Sequence, residues 1–224
     1  MKKSFLLTMG IIIVFSYFYT KKDCFFYKTN KIEFDEFYYE DNLLKENDNV
    51  EIEYTNVDNK QIANIKSLDT GKNIETITLE KAERIFVDNV DYSSYSSHIH
   101  PYVLTRDINH DGLKVRLSVN VDFYSYGSFR EVINIYSYDL HILSPIPPYD
   151  YENKSLNVWS RKPLPSNEIL FKYSTSIRVI DEKNFNNFDY NRLKKFGFSL
   201  SSSADGRDIY QRYIEYAGKI YIRW

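Results

Sequence analysis

The chain is short of the residues on which several chemistries depend. Cys24 is the single cysteine among 224 residues, so no disulfide forms within the chain, and an exported domain built from it relies on its core, a bound ion or a partner. Glycines number only seven. No G-x-G-x-x-G occurs, and Gly71-Lys72 stands without the glycine spacing of a phosphate loop. A nucleophile elbow of the G-x-S-x-G kind is also missing, so Ser201-Ser202-Ser203 followed by Asp205-Gly206 reads as a polar loop. Neither charge sign dominates: 29 basic residues face 31 acidic ones, for a net charge of -2. With no basic block longer than a Lys-Lys pair, the electrostatic footprint of nucleic-acid binding is missing. That many carboxylates allow many pairings and single out none as a catalytic pair. The balance favours a non-catalytic protein.

What the chain does have begins at its N-terminus. Lys2 and Lys3 precede an apolar run, residues 5–19, interrupted only by Thr8, Gly10 and Ser16. A basic region followed by a short apolar core is the layout of an export signal. Residues 1–22 are expected to be a signal peptide or a membrane anchor, a hydrophobic helix that meets the membrane through residues 4–20. The small side chains that signal peptidase requires are missing around residues 16–20, which favours an uncleaved anchor; cleavage would make the protein secreted. Lys21, Lys22, Lys28 and Lys31 argue for the reverse orientation by the positive-inside rule. The export layout nevertheless places residues 23–224, read as one β-rich domain, in the periplasm or outside the cell. Lys21-Lys22-Asp23 before Cys24 is unlike a lipoprotein signal.

In the body the dominant period is two. Val115, Leu117, Val119, Val121 and Phe123 alternate with Arg116, Ser118, Asn120 and Asp122, the pattern of a half-buried strand. Residues 132–142 follow as its hairpin partner, with a phase shift near Tyr136 that reads as a bulge. Strands are also expected at 50–54, 62–68, 74–79, 168–173 and 176–180. Residues 209–216 and 219–224, joined by Ala217-Gly218, read as a closing hairpin. Prolines at 145, 147, 148, 163 and 165 bracket the run 156–159 and exclude a central strand, so 145–165 reads as a surface excursion. Helix is confined to two short candidates, 79–86 and 187–196. The fold class is therefore mainly β, an antiparallel sandwich or barrel-like sheet with one or two short helices.

One motif carries mechanical content. Asp107-Ile108-Asn109-His110-Asp111-Gly112 has the D-x-N-x-D-G form, in which alternate residues of a tight loop aim oxygens at a hard cation. Asp107, Asn109 and Asp111 would supply side-chain oxygens and Leu113 a carbonyl, with calcium as the cofactor. These six residues resemble the opening half of an EF-hand loop and the calcium loops of FG-GAP-type β-propeller repeats. The twelfth position is Ser118 rather than glutamate, and no second copy occurs. The same residues are also good turn chemistry without an ion. His98 and His100 share one face of an extended segment and are the pattern of a transition-metal pair, but Pro101 and the serines before them read as a loop.

The remaining excess is aromatic, with 21 tyrosines and 15 phenylalanines. An A/T-rich coding sequence accounts for much of it. Tyrosine also makes protein contact surfaces, because it offers a large amphipathic area at low entropy cost. The expected function is that of a membrane-anchored or secreted bacterial interaction module, of the immunity or envelope-assembly accessory type, acting on a protein partner. The alternative is a calcium-stabilised carbohydrate-binding or hydrolytic domain.

Overall fold

The alternation in the sequence becomes strand almost throughout. A computed structural model describes residues 31–34, 37–40, 49–82, 98–180, 189–202 and 206–222; the N-terminal segment 1–22 and Cys24 lie outside the described residues. Short strands β1 (Lys31–Glu33) and β2 (Phe37–Glu40) come first. Six strands then follow in sequence: β3 (Val50–Val57), β4 (Lys60–Ser67), β5 (Asn73–Lys81), β6 (Ile99–His110), β7 (Leu113–Tyr126) and β8 (Phe129–Ile142). After them come β9 (Asp150–Trp159), β10 (Glu168–Ile180), a short helix α1 (Asn191–Lys195), β11 (Ser199–Ser202) and β12 (Asp208–Ile222). The result is mainly β, two antiparallel sheets with almost no helix among the described residues. The first sheet is the meander β3-β4-β5-β6-β7-β8, and the second has the order β1-β2-β12-β10-β9, with β11 also paired to β12.

The apolar faces of the two sheets meet in one core. Val115, Leu117, Val119, Val121 and Phe123 of β7 are each at most 2% exposed. From the second sheet Phe37 reaches across, its ring 4.9 Å from Phe123 and 5.6 Å from Tyr102. Leu104 and Ile108 of β6 join Ile169, Phe171 and Ile177 of β10 in the same cluster. Contacts also tie the sheet edges together. The Tyr151 hydroxyl donates to the Leu140 carbonyl at 2.8 Å, and Val132 exchanges two backbone hydrogen bonds with Ser166. On the opposite edge the Glu33 N–H donates to the Tyr54 hydroxyl at 3.2 Å. Covering edges in this way limits unwanted strand pairing.

The β7–β8 hairpin forms as expected. Two bulges in β8 leave Ile133 and Tyr136 without a facing residue on β7, and the second re-aims Tyr136 onto the buried Asp122 carboxylate. Four expectations need correction. The supposed C-terminal hairpin is one strand, β12, running straight through Ala217-Gly218 and paired with β10 from Ile209 to Tyr221. Its glycine serves close packing rather than a turn. The excursion at 145–165 contains β9, an edge strand of its sheet whose ten residues lie between the prolines and include none of them. Leu79, Glu80 and Lys81 extend β5 instead of starting a helix; residues 83–86 lie outside the described residues. Finally, β6 continues through His100 and Pro101. Pairing with β5 begins only at Tyr102; just beyond it the Pro101 carbonyl accepts the Ala82 N–H at 3.0 Å, and the proline, having no N–H, forgoes only the return bond at this end of the pairing.

Candidate functional site

The Asp107 to Leu113 segment forms the end of β6, a turn and the start of β7. His110 faces Leu113 in the register, leaving Asp111-Gly112 as a two-residue turn with φ of +47° and +96°. Two left-handed residues in succession make the type I′ turn whose twist suits a hairpin. Asn109 closes it, its Oδ1 accepting the Gly112 N–H at 2.6 Å. Asp107 points to the outer face of the first sheet, where Arg116 grips it with both arms of its fork at 2.6 and 2.8 Å. That hydrogen-bonded carboxylate raises the Arg116 pKa above its ordinary value. Asp111 leans the other way, its Oδ2 3.4 Å from Arg212 Nη2 on the second sheet. The Leu113 side chain is fully buried. The segment's two carboxylates are thus engaged by arginines of different sheets. Among the described residues no group of three or more His, Cys, Asp and Glu is placed to hold a metal ion.

The histidines are likewise dispersed. The His98 ring packs 4.6 Å from Tyr126, edge to face. His100 faces Phe123 across β6 and β7, while His141 meets Asp139 on the surface at 3.0 Å.

The principal polar cluster lies between the sheets and was not found by motif reading. Its centre is Arg106, 4% exposed on the inward face of β6. Glu75 of β5, itself 3% exposed, takes both arms of the guanidinium, Nη2 to Oε2 at 2.7 Å and Nε to Oε1. Arg106 Nη2 also donates to the Tyr216 hydroxyl. Aromatic faces from the second sheet enclose the cation: its central carbon is 4.3 Å from the Tyr39 ring centre, 4.2 Å from Tyr216 and 5.5 Å from Phe171. Such contacts favour a desolvated guanidinium. Burial lowers the Arg106 pKa to about 10, which leaves it charged at neutral pH.

Gly218 makes this approach possible. A Cβ there would stand 2.5 Å from Phe171 Cζ, 2.5 Å from the Tyr39 hydroxyl and 2.8 Å from Arg106 Nη1. Beside the cation, His110 Nε2 lies 2.8 Å from the Tyr173 hydroxyl. Burial, reinforced by the charge of Arg212, lowers the His110 pKa to about 4. Burial also raises that of Tyr173. His110 is therefore neutral and Tyr173 protonated at pH 7. The first sheet supplies Arg106, Glu75 and His110, whereas Tyr39, Phe171, Tyr173, Tyr216 and Gly218 come from the second. The cluster ties one sheet to the other through these contacts. A sequence signal for it existed. Tyr102, Leu104 and Ile108 share their phase with Arg106, as Ile77 and Leu79 do with Glu75, so opposite charges occupied inward positions.

A different arrangement marks the β7–β8 hairpin. At its tip Tyr126 and Phe129 are both 58% exposed and flank a Gly127-Ser128 turn in which Gly127 has φ of +58°. Arg130 Nη1 folds back to the Gly127 and Phe129 carbonyls at 2.8 and 2.9 Å. These turn carbonyls are therefore partnered before anything covers them. Further along β8, Tyr136 and Tyr138 are also exposed.

No protein-family model matches the chain, and no curated protein or solved structure is significantly similar to it.

Proposed function

We propose that the chain is a non-catalytic β-sandwich interaction module that binds another protein outside the cytoplasm. Residues 1–22 hold it at the membrane, or are removed on secretion. The observation that carries this reading is the aromatic tip of the β7–β8 hairpin, Tyr126 and Phe129 presented on a partnered turn. Rigid, exposed aromatic side chains on a backbone that needs no further hydrogen bonds are effective anchors for a protein contact. The interior chemistry supports the same reading, since Glu75, Arg106, His110 and Tyr173 are committed to joining the sheets.

The test is in-cell crosslinking in the native host, followed by detergent extraction and identification of what co-purifies with the full-length chain. One dominant stoichiometric partner is expected, and the double substitution Tyr126→Ser/Phe129→Ser should remove it while leaving the melting temperature unchanged. Recovery of no partner, or of the same partner with the substituted hairpin, would sink the reading.

A further inference from the structure

The outer face of the second sheet carries a different kind of surface. In β10, Leu170, Lys172, Ser174 and Ser176 alternate with the buried Phe171, Tyr173 and Ile177, and so point away from the core. Tyr213 of β12 faces Ser176, and Trp159 of β9 faces Leu170. Ser176 and Leu170 are six residues apart, which separates the two aromatic residues along the sheet by roughly 20 Å.

Tyr213 is 59% exposed yet held at both ends. Its backbone belongs to β12, and its hydroxyl donates to Glu215 Oε2 at 2.8 Å with Ser174 also in hydrogen-bonding range. The hydroxyl contacts restrain the ring in advance, which lowers the entropy cost of stacking on it. Beside it a polar network crosses three strands: Glu152 of β9 accepts from Arg178 Nη1 of β10 at 2.6 Å and from Gln211 Nε2 of β12 at 3.1 Å. At the far end Trp159 is 40% exposed, and Tyr38 and Tyr221 stack at 5.1 Å with an interplanar angle of 11°. Between the two ends, the rows Ser155, Ser174, Glu215 and Asn157, Lys172, Ala217 mix small side chains with polar ones.

We propose that this face binds an extended, neutral polysaccharide, with Tyr213 and Trp159 as its two stacking platforms. The apolar C–H face of a pyranose ring matches an exposed aromatic ring, and the flanking carboxylate, guanidinium, carboxamide and hydroxyl groups match sugar hydroxyls. Lys172, Arg178 and Lys219 stand with Asp150, Glu152, Glu168 and Glu215 on the same face, three cations against four carboxylates, so no positive field favours an acidic glycan. The separation of the platforms calls for an oligomer rather than a disaccharide. The site goes beyond the protein-partner reading and uses a different surface.

Native affinity electrophoresis of the full-length chain, in gels containing laminarin, xyloglucan, glucomannan or amylopectin, tests it. Retardation by at least one polymer is expected, with its hexasaccharide competing better than its disaccharide. Tyr213→Ser and Trp159→Ser should each weaken retardation about tenfold, at unchanged melting temperature, whereas Tyr126→Ser/Phe129→Ser should bind as the wild type does. That control separates failure of this site from failure of the hairpin interface. Absence of retardation in all four gels overturns the proposal, as does retardation that neither platform substitution alters.

Discussion

Arg106→Met is the most informative perturbation of the interior. It removes a 4%-exposed cation from a carboxylate that is 3% exposed, and methionine keeps much of the side-chain volume between Tyr39 and Tyr216. Breaking a buried pair by deleting one partner costs about 3–5 kcal/mol, since the other charge stays buried. Loss of the stacked cation adds about 1–2 kcal/mol. Domains commonly have only about 5–15 kcal/mol in total, so the variant should lose a large part of its stability. Adding Glu75→Leu removes the stranded carboxylate, and the double variant should recover most of the loss, because replacing both members of a buried pair by apolar groups is often nearly neutral. Urea unfolding followed by circular dichroism gives the four stabilities by linear extrapolation. A coupling energy of at least about 2 kcal/mol between the two positions is expected for groups in direct contact. If the two losses simply add, or if Arg106→Met alone costs less than about 1 kcal/mol against that expectation of 3–5 kcal/mol, the pair does not join the sheets as argued.

Two further outcomes follow from the same cluster. Gly218→Ala places a Cβ 2.5 Å from Phe171 and Tyr39, an overpacking that should cost about 1–3 kcal/mol; calorimetry should show a melting temperature lowered by roughly 3–10 °C, whereas Ala217→Ser, on the exposed neighbour, should leave it unchanged. His110, with its pKa lowered from 6.5 to about 4, contributes stability that is complete above the unfolded pKa and is lost as pH falls from about 6.5 towards about 4, because the unfolded chain takes up the proton first. The full shift would correspond to about 3 kcal/mol, and solvent at this partly exposed ring reduces it to about 1–2 kcal/mol. His110→Gln should show a correspondingly flatter loss of stability between about pH 7 and about pH 4.5 in urea titrations, and an identical loss in both proteins would exclude His110 as the source.

Strand content was legible because burial imposes a period of two, and β7 displays that period without interruption. The β7–β8 pairing and the bulge near Tyr136 followed from the same signal, since a phase shift in one strand has no other simple cause. The reading failed where one residue type serves two physical ends. Glycine at 218 suggested a turn, but a glycine also removes a Cβ, and only the positions of Phe171, Tyr39 and Arg106 decide between the two. Proline was over-read in a similar way: the prolines at 145, 147, 148, 163 and 165 flank the segment, and the edge strand β9 forms in the ten residues between them, where no donor is missing.

The cluster around Arg106 illustrates a deeper limit. Periodicity assigns each residue to a face of its own strand; β6 was not among the expected strands, but once it is recognised the same period puts Arg106, like Glu75 on β5, on an inward face. It does not say which faces meet, because the order β1-β2-β12-β10-β9 brings together segments far apart in the chain: Tyr39, Phe171 and Tyr216 close around one cation from three different strands. A charge at an inward position is thus itself evidence of an unseen partner. The costs of burial require one, and an opposite charge in phase on the neighbouring strand is the first place to look. By that rule Arg106 points to Glu75 before any coordinates exist. The aromatic residues that complete the site have no such complement in sequence, since a tyrosine is equally at home in the core, at a sheet edge or on an exposed platform. Tyr39, Tyr54 and Tyr213 occupy those three environments in this one chain.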